Sequence, residues 1–216
     1  MDRVLNGHTL APSARITRAQ VITIVNSVPP MPMALNQYHT PSWGAGGGTS
    51  RSLTGPDIGM CFLAPIILVI GQTYDKLRCV VANASSSTHR FGLYYLSEST
   101  CLPTSIAIDA GTAVWTGAGA EKLVSMTFTP TQRFCALAWF FESRTDAVNP
   151  SIPTLTPNYP WPFGFVAPGT TAVPTWNLLQ STGNSAGALP GAGTFSFTAT
   201  ATQANLQPQI PIRRSV

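Results

Sequence analysis

The stretch that decides the fold is "EKLVSMTFTPTQRFCALAWFFE", residues 121–142. In its first part Val124, Met126 and Phe128 recur at every second position, a period that only an extended strand presents as one face. After "TPTQR" comes "FCALAWFFE", residues 134–142, which is apolar on both faces. A strand of that kind belongs at the centre of a sandwich, covered from two sides. An alternating strand followed by a two-faced one predicts an all-β domain with an interior strand.

Working outward, the neighbouring segments repeat the pattern. "YDKLRCVVA" places Leu77, Cys79 and Val81 on one face, with Lys76 and Arg78 on the other. In "RFGLYYL", Phe91, Leu93 and Tyr95 alternate with Arg90, Gly92 and Tyr94. "TFSFTATAT" sets Phe195 and Phe197 inward and Thr194, Ser196 and Thr198 outward. "CFLAPIILVI", residues 61–70, is too short for a transmembrane helix and contains Pro65, so it reads as a buried strand. With "SIAIDA", "TAVWT" and "WPFGFVA" these make about nine candidate strands, divided by turn signals as in a sandwich or barrel. No amphipathic helix and no internal repeat is found.

Composition agrees. Charged residues are 9 % of 216, and 18 glycines and 19 prolines punctuate the chain. Soluble domains carry roughly 25 % charge, so much of this surface is expected to face other chains. The net charge of +4 comes largely from arginines scattered along the sequence, not gathered in the patch of a nucleic-acid binder. Cys61, Cys79, Cys101 and Cys135 form no C-x-x-C pair, which argues against a zinc site. "MDRVLNGHTLAPSARITRAQ" has no apolar signal region, so the thiols are expected to be free, partly buried and made in a reducing compartment. The sequon at Asn83 then has no use.

Residues 1–36 read differently from the rest. "VITIV", with Val21, Ile22, Ile24 and Val25, is rich in β-branched residues, and Pro29, Pro30 and Pro32 favour extended geometry. With Arg15 and Arg18 ahead of it, this segment is expected to be an extended arm that lies along a partner, and residues 37–216 the domain proper.

Signals for chemistry are few. "GNSAG", residues 183–187, fits G-x-S-x-G, but nothing after it can start a helix through Pro190, so Ser185 is not expected to be a nucleophile. His8, His39 and His89 are expected to be solvated loop histidines. Asp109, Glu121 and Glu142 fall near strand ends, but with eight acids in 216 residues a glycosidase pair is not the expected reading. "GAGGGTSRS", residues 44–52, lacks the lysine of a phosphate loop and reads as a flexible connection. The proline-rich residues 143–165 are expected to be a surface loop, in which Tyr159 and Trp161 are candidates for stacking on a glycan or partner. No catalytic residue, metal or cofactor is expected.

Taken whole, "FGLYYLSESTCLPTSIAIDAGTAVWTGAGAEKLVSMTFTPTQRFCALAWFFES" resembles a jelly-roll module common in virion proteins of tailed bacteriophages. There an aromatic "GlY" strand, a loop reaching proline, a "dAGt" strand and a terminal aromatic strand recur in order. "YDKLRCVVANASSSTHRFGLY" resembles the module's first hairpin, and "GALPGAGTFSFTATATQANLQPQIPIRRSV" its closing segment. Gln132-Arg133 stands where the family has a glycine, and the insert around residues 159–165 is unusually rich in proline. The resemblance implies a jelly-roll sandwich of about eight to nine antiparallel strands. It also implies a homotrimer in the virion, assembled in the host cytoplasm and bound to capsid or tail and neck proteins. The function it implies is capsid decoration or cement, or a short fibre. The alternatives are a receptor-binding fibre tip that recognises host glycans and, more distantly, a hydrolase.

Overall fold

A computed structural model describes residues 3–5, 8–10, 36, 38–39, 50–54, 57–80, 86–98, 100, 102–116, 121–147, 151–155, 179–197, 207–208 and 210–215. The chain divides into two units, Met1–Pro32 and Met33–Val216. In the first, β1 (Arg3–Leu5) and β2 (His8–Leu10) pair antiparallel, Arg3 opposite Leu10. Asn6-Gly7 stands between them, the dipeptide most favoured for a two-residue hairpin connection, so this local pairing had a sequence signal. Within the segment expected to be an extended arm, β1 and β2 thus pair with each other. Arg15, Arg18, Val21, Ile22, Ile24 and Val25 lie outside the described residues.

The second unit is all-β and antiparallel. Its strands are β3 (Tyr38–His39), β4 (Ser50–Thr54), β5 (Cys61–Ile67), β6 (Tyr74–Val80), β7 (Ser86–Leu96), β8 (Pro103–Thr116) and β9 (Glu121–Phe128). Then follow β10 (Phe134–Arg144), β11 (Ser151–Leu155), β12 (Leu179–Ser181), β13 (Ser196–Phe197), β14 (Gln207–Pro208) and β15 (Ile212–Arg214). One 3-10 turn, Ala192–Thr194, is the sole helical element among the described residues. Three sheets result, in the orders β13-β12-β5-β10-β7-β8, β14-β11-β4 and β3-β15-β6-β9. From β5 to β10 the chain alternates between the six-stranded and the four-stranded sheet, staying only for the β7–β8 hairpin. The described residues hold fifteen strands in all, against the eight to nine expected, because many short pairings carry too few residues to show a period.

The core lies between those two sheets. Val124, Met126 and Phe128 of β9 and Leu77 and Cys79 of β6 face Phe62, Ala64 and Ile66 of β5, Phe91 and Leu93 of β7, and Cys135, Leu137 and Trp139 of β10. Each large side chain buried here contributes roughly 1.5–3 kcal/mol. β10 is covered on both faces from Phe134 to Glu142, as its sequence required. Its outward residues Ala136, Ala138 and Phe140, with Cys61, Leu63 and Tyr94, are fully buried too. Residues 182–195 supply part of that second cover through Leu189 and Phe195.

Several expectations change. "SIAIDA" and "TAVWT" are one strand, β8, bent by register shifts that leave Thr104, Ala107 and Ala110 without an opposite residue on β7. Gly111 adopts φ 91°, which suits glycine alone at low cost, so a glycine that resembles a strand end in the sequence lies inside one strand. Part of the supposed connection at 44–52 enters β4, and the supposed loop at 143–165 contains β11. His8 and His39 lie in strands β2 and β3, not in loops.

Candidate functional site

The six-stranded sheet carries two polar assemblies, one on each face, anchored by neighbouring residues of β7. On the inner face is His89, expected in a solvated loop and found fully buried. The correction has a simple cause: β7 starts at Ser86, so "SSTHR" is strand and its odd-numbered residues point inward. Trp139 of β10 donates its indole N–H to His89 Nδ1 at 2.6 Å, with the ring planes nearly parallel at 12°. Ser87 Oγ lies 2.7 Å from His89 Nε2. The edge of Trp115 meets the imidazole at 4.7 Å between centroids, and Phe141 stacks on it at 5.2 Å.

This geometry sets the tautomer. An indole nitrogen only donates, so His89 Nδ1 is the acceptor and the proton of the neutral ring sits on Nε2. Nε2–H then donates to Ser87 Oγ. A serine nucleophile needs the opposite arrangement, with histidine accepting the hydroxyl proton. Burial brings the His89 pKa down to about 3, so the ring stays neutral. Ser87 and His89 are a closed, inert pair.

On the outer face stands Arg90. Its Nε donates to Glu142 Oε1 at 2.5 Å, and its Nη1 donates to both Asp109 oxygens at 3.0 and 3.1 Å. The Arg90 and Glu142 side chains are 15 % and 7 % exposed. Burial opposes the Arg90 charge, but the hydrogen bonds to Glu142 and Asp109 outweigh it and the net shift is upward. Asp109 also accepts from the Gly111 N–H at 3.0 Å, which fastens the bulge of β8. Glu142 accepts from the Gly187 N–H at 3.0 Å, which fastens the segment 182–195.

That cover segment has further ties. The Tyr94 hydroxyl donates to the Pro190 carbonyl, and Phe195 meets the Tyr94 ring edge-on at 5.1 Å. Asn184 donates from its side chain to the Gly59 carbonyl at 2.7 Å. Tyr95, one residue on, faces the other way and accepts from Thr131 N–H and Oγ1 at 3.1 Å each. The two adjacent tyrosines thus hold two different connections, one on each side of the sheet. Gly92 completes the fit: a Cβ there would overlap the Ile108 carbonyl oxygen and Leu189.

Ser185 is exposed in the cover segment, between β12 and a 3-10 turn that begins only at Ala192. The strand–turn–helix of a nucleophile elbow is not formed around it. Asp109 and Glu142 come together, but on the same guanidinium, while Glu121 pairs with Arg78 at 2.8 Å on the other sheet. Arg213 pairs with Asp75, and Tyr38 lies under both Arg78 and Arg213 at about 6 Å from its ring. Cys61, Cys79 and Cys135 are buried, and Cys61 and Cys135 are free thiols. Burial raises the Cys61 thiol and pushes Cys135 up to about 12, so neither is a ready nucleophile.

Tyr159, Trp161 and Cys101 lie outside the described residues. Among the described residues, no three His, Cys, Asp or Glu side chains gather where a metal ion could sit, and no helix is long and apolar enough to cross a membrane. Compared with known proteins, the chain matches no protein-family model, no curated protein and no solved structure.

Proposed function

We propose that this chain is a non-enzymatic structural protein of a tailed-phage virion, a jelly-roll decoration, cement or short-fibre protein attached to the particle through residues 1–36. The observation that carries the reading is the use made of the chemically capable side chains. His89, Ser87, Arg90, Asp109 and Glu142 are bonded to one another, to Trp139 or to the cover segment, and brace the two faces of one sheet. The repeated crossing of the chain between two packed sheets supports the jelly-roll assignment. Low charge and exposed Ile58, Ile70, Ile106, Val114 and Leu123 suit a surface that meets other chains, in this reading a homotrimer against capsid or tail proteins.

The test separates the two units. A chain lacking residues 1–34 keeps the sandwich, whose strands begin at Tyr38, and is expected to fold. Added to particles that lack the protein, it should fail to bind where the full chain binds. Equal binding by both would move the anchor to the sandwich and remove the arm from the account. Sedimentation of the full chain as a stable 22.9 kDa monomer would remove the trimer.

A further inference from the structure

We infer that residues 182–190 are a plug that swings off the outer face of the six-stranded sheet as one unit, hinged at Ser181 and Gly191, while the strands stay paired. The inference does not rest on the virion reading. The base of this loop is fixed. β12 pairs with β13, Leu179 opposite Phe197 and Gln180 opposite Ser196, so the chain leaves and rejoins the sheet at one place. Ser181 Oγ lies 2.7 Å from Thr194 Oγ1, across the two ends. The Thr194 N–H donates to the Gly191 carbonyl at 3.0 Å and closes the turn Ala192–Thr194, which rests on β8. A loop whose ends are joined in this way can lift without moving the strands that carry it.

Above the base, the loop is held at separate points and not by a ladder. No residue from 182 to 190 is in a strand, and Leu189 and Pro190 alone among them are buried. Asn184 donates to the Gly59 carbonyl from its backbone at 3.1 Å and from its side chain at 2.7 Å. The Gly187 N–H reaches Glu142 at 3.0 Å, and the Pro190 carbonyl accepts from Tyr94. A segment with few apolar anchors opens at lower free energy than the core beneath it.

One hollow in the sheet explains why these points should let go together. Gly92 of β7 stands opposite Ala138 of β10, and Ala138 stands opposite Leu63 of β5. Two small residues side by side leave a depression in the outer face, and Leu189 fills it. A Cβ at Gly92 would come within 2.5 Å of Leu189 Cδ1. Once Leu189 leaves, the remaining ties are hydrogen bonds at scattered points, too weak to order the loop against its entropy. The open form uncovers Gly92, Ala138 and Tyr94, all buried in the closed one. The plug thereby gates an apolar hollow.

Native-state amide exchange, resolved by residue, tests the plug in the full chain. The Asn184 and Gly187 amides donate to different partners, so independent fraying would give them unrelated protection. Opening as one unit gives them a common protection factor, well below that of β10. Leu189→Ala should then speed both amides by the same factor, about tenfold or more, although its side chain makes neither hydrogen bond. Tyr94→Phe, which removes a different tie, should also speed the two together. If either variant speeds one amide and leaves the other unchanged, the loop is not a unit and the inference fails. If both amides of the parent chain are as slow as the slowest of β10, the loop opens only on global unfolding and there is no gate.

Discussion

His89 and Arg90 are neighbours in the chain, point to opposite faces of one sheet, and meet burial in opposite ways. His89 can lose its proton, and in its box of Trp115, Trp139 and Phe141 it does so, remaining a neutral ring with both nitrogens hydrogen-bonded. Arg90 cannot be neutralised within the accessible range, so its burial requires two carboxylates, Glu142 and Asp109. The inner solution needs only aromatic rings and a hydroxyl. The outer one draws on three strands and a cover segment, and so ties them together. A buried ionisable group therefore either packs the core or latches its cover, according to whether its charge can be removed.

The outer face should respond most strongly to substitution. Arg90→Ala leaves Glu142 buried beside no counter-charge, and urea unfolding should show a loss of about 3–5 kcal/mol. Arg90→Met combined with Glu142→Met should recover most of it, since no buried charge then remains. If the double variant is as unstable as Arg90→Ala, shape and not charge holds the latch.

The inner face should show a pH dependence instead. In the unfolded chain His89 takes up a proton near the ordinary 6.5, whereas the folded chain resists it down to about 3. Stability from this group is therefore complete above 6.5 and falls as acid is added through that window. At pH 5 the expected loss is about 2 kcal/mol, at 1.36 kcal/mol per unit. Arg213 lowers the Asp75 carboxyl by hydrogen bonding, so its contribution is lost only in the carboxylate range below. His89→Gln, even if less stable at pH 7, should abolish the slope between pH 7 and 5. A slope that survives the substitution must come from another group.

A smaller effect sharpens the account of the cover. Tyr94→Phe keeps the ring against Phe195 but leaves the Pro190 carbonyl unpaired, a loss of about 1–3 kcal/mol. Amide exchange should quicken in residues 182–195 and stay slow in β9. Ser185→Ala, in the same segment but exposed, should change stability by less than about 0.5 kcal/mol.

How much of this was legible beforehand depends on how far apart the partners lie in the chain. β6, β9 and β10 were readable because a two-residue period, or its absence, is a local signal. His89 was not, since its environment comes from Trp139, 50 positions away, and only the pairing of β7 with β10 brings the two together. The latch was hidden for the same reason, with Glu142 lying 52 positions from Arg90. The bulges of β8 broke the alternation that would have shown it as one strand. The pairing of β1 with β2 has a local signal in Asn6-Gly7, whereas the proline run farther along the same segment points to extended backbone.

If the ionisable groups of this all-β unit brace its sheets, the state of His89 shows it directly. Long-range ¹⁵N–¹H correlation spectra of the folded protein, recorded from pH 8 to pH 4, report both the tautomer and the titration of the ring. The account predicts one neutral form throughout, with the proton on Nε2 and Nδ1 bare. A ring that titrates near 6.5, or that carries its proton on Nδ1 and leaves Nε2 free to accept from Ser87, would contradict it.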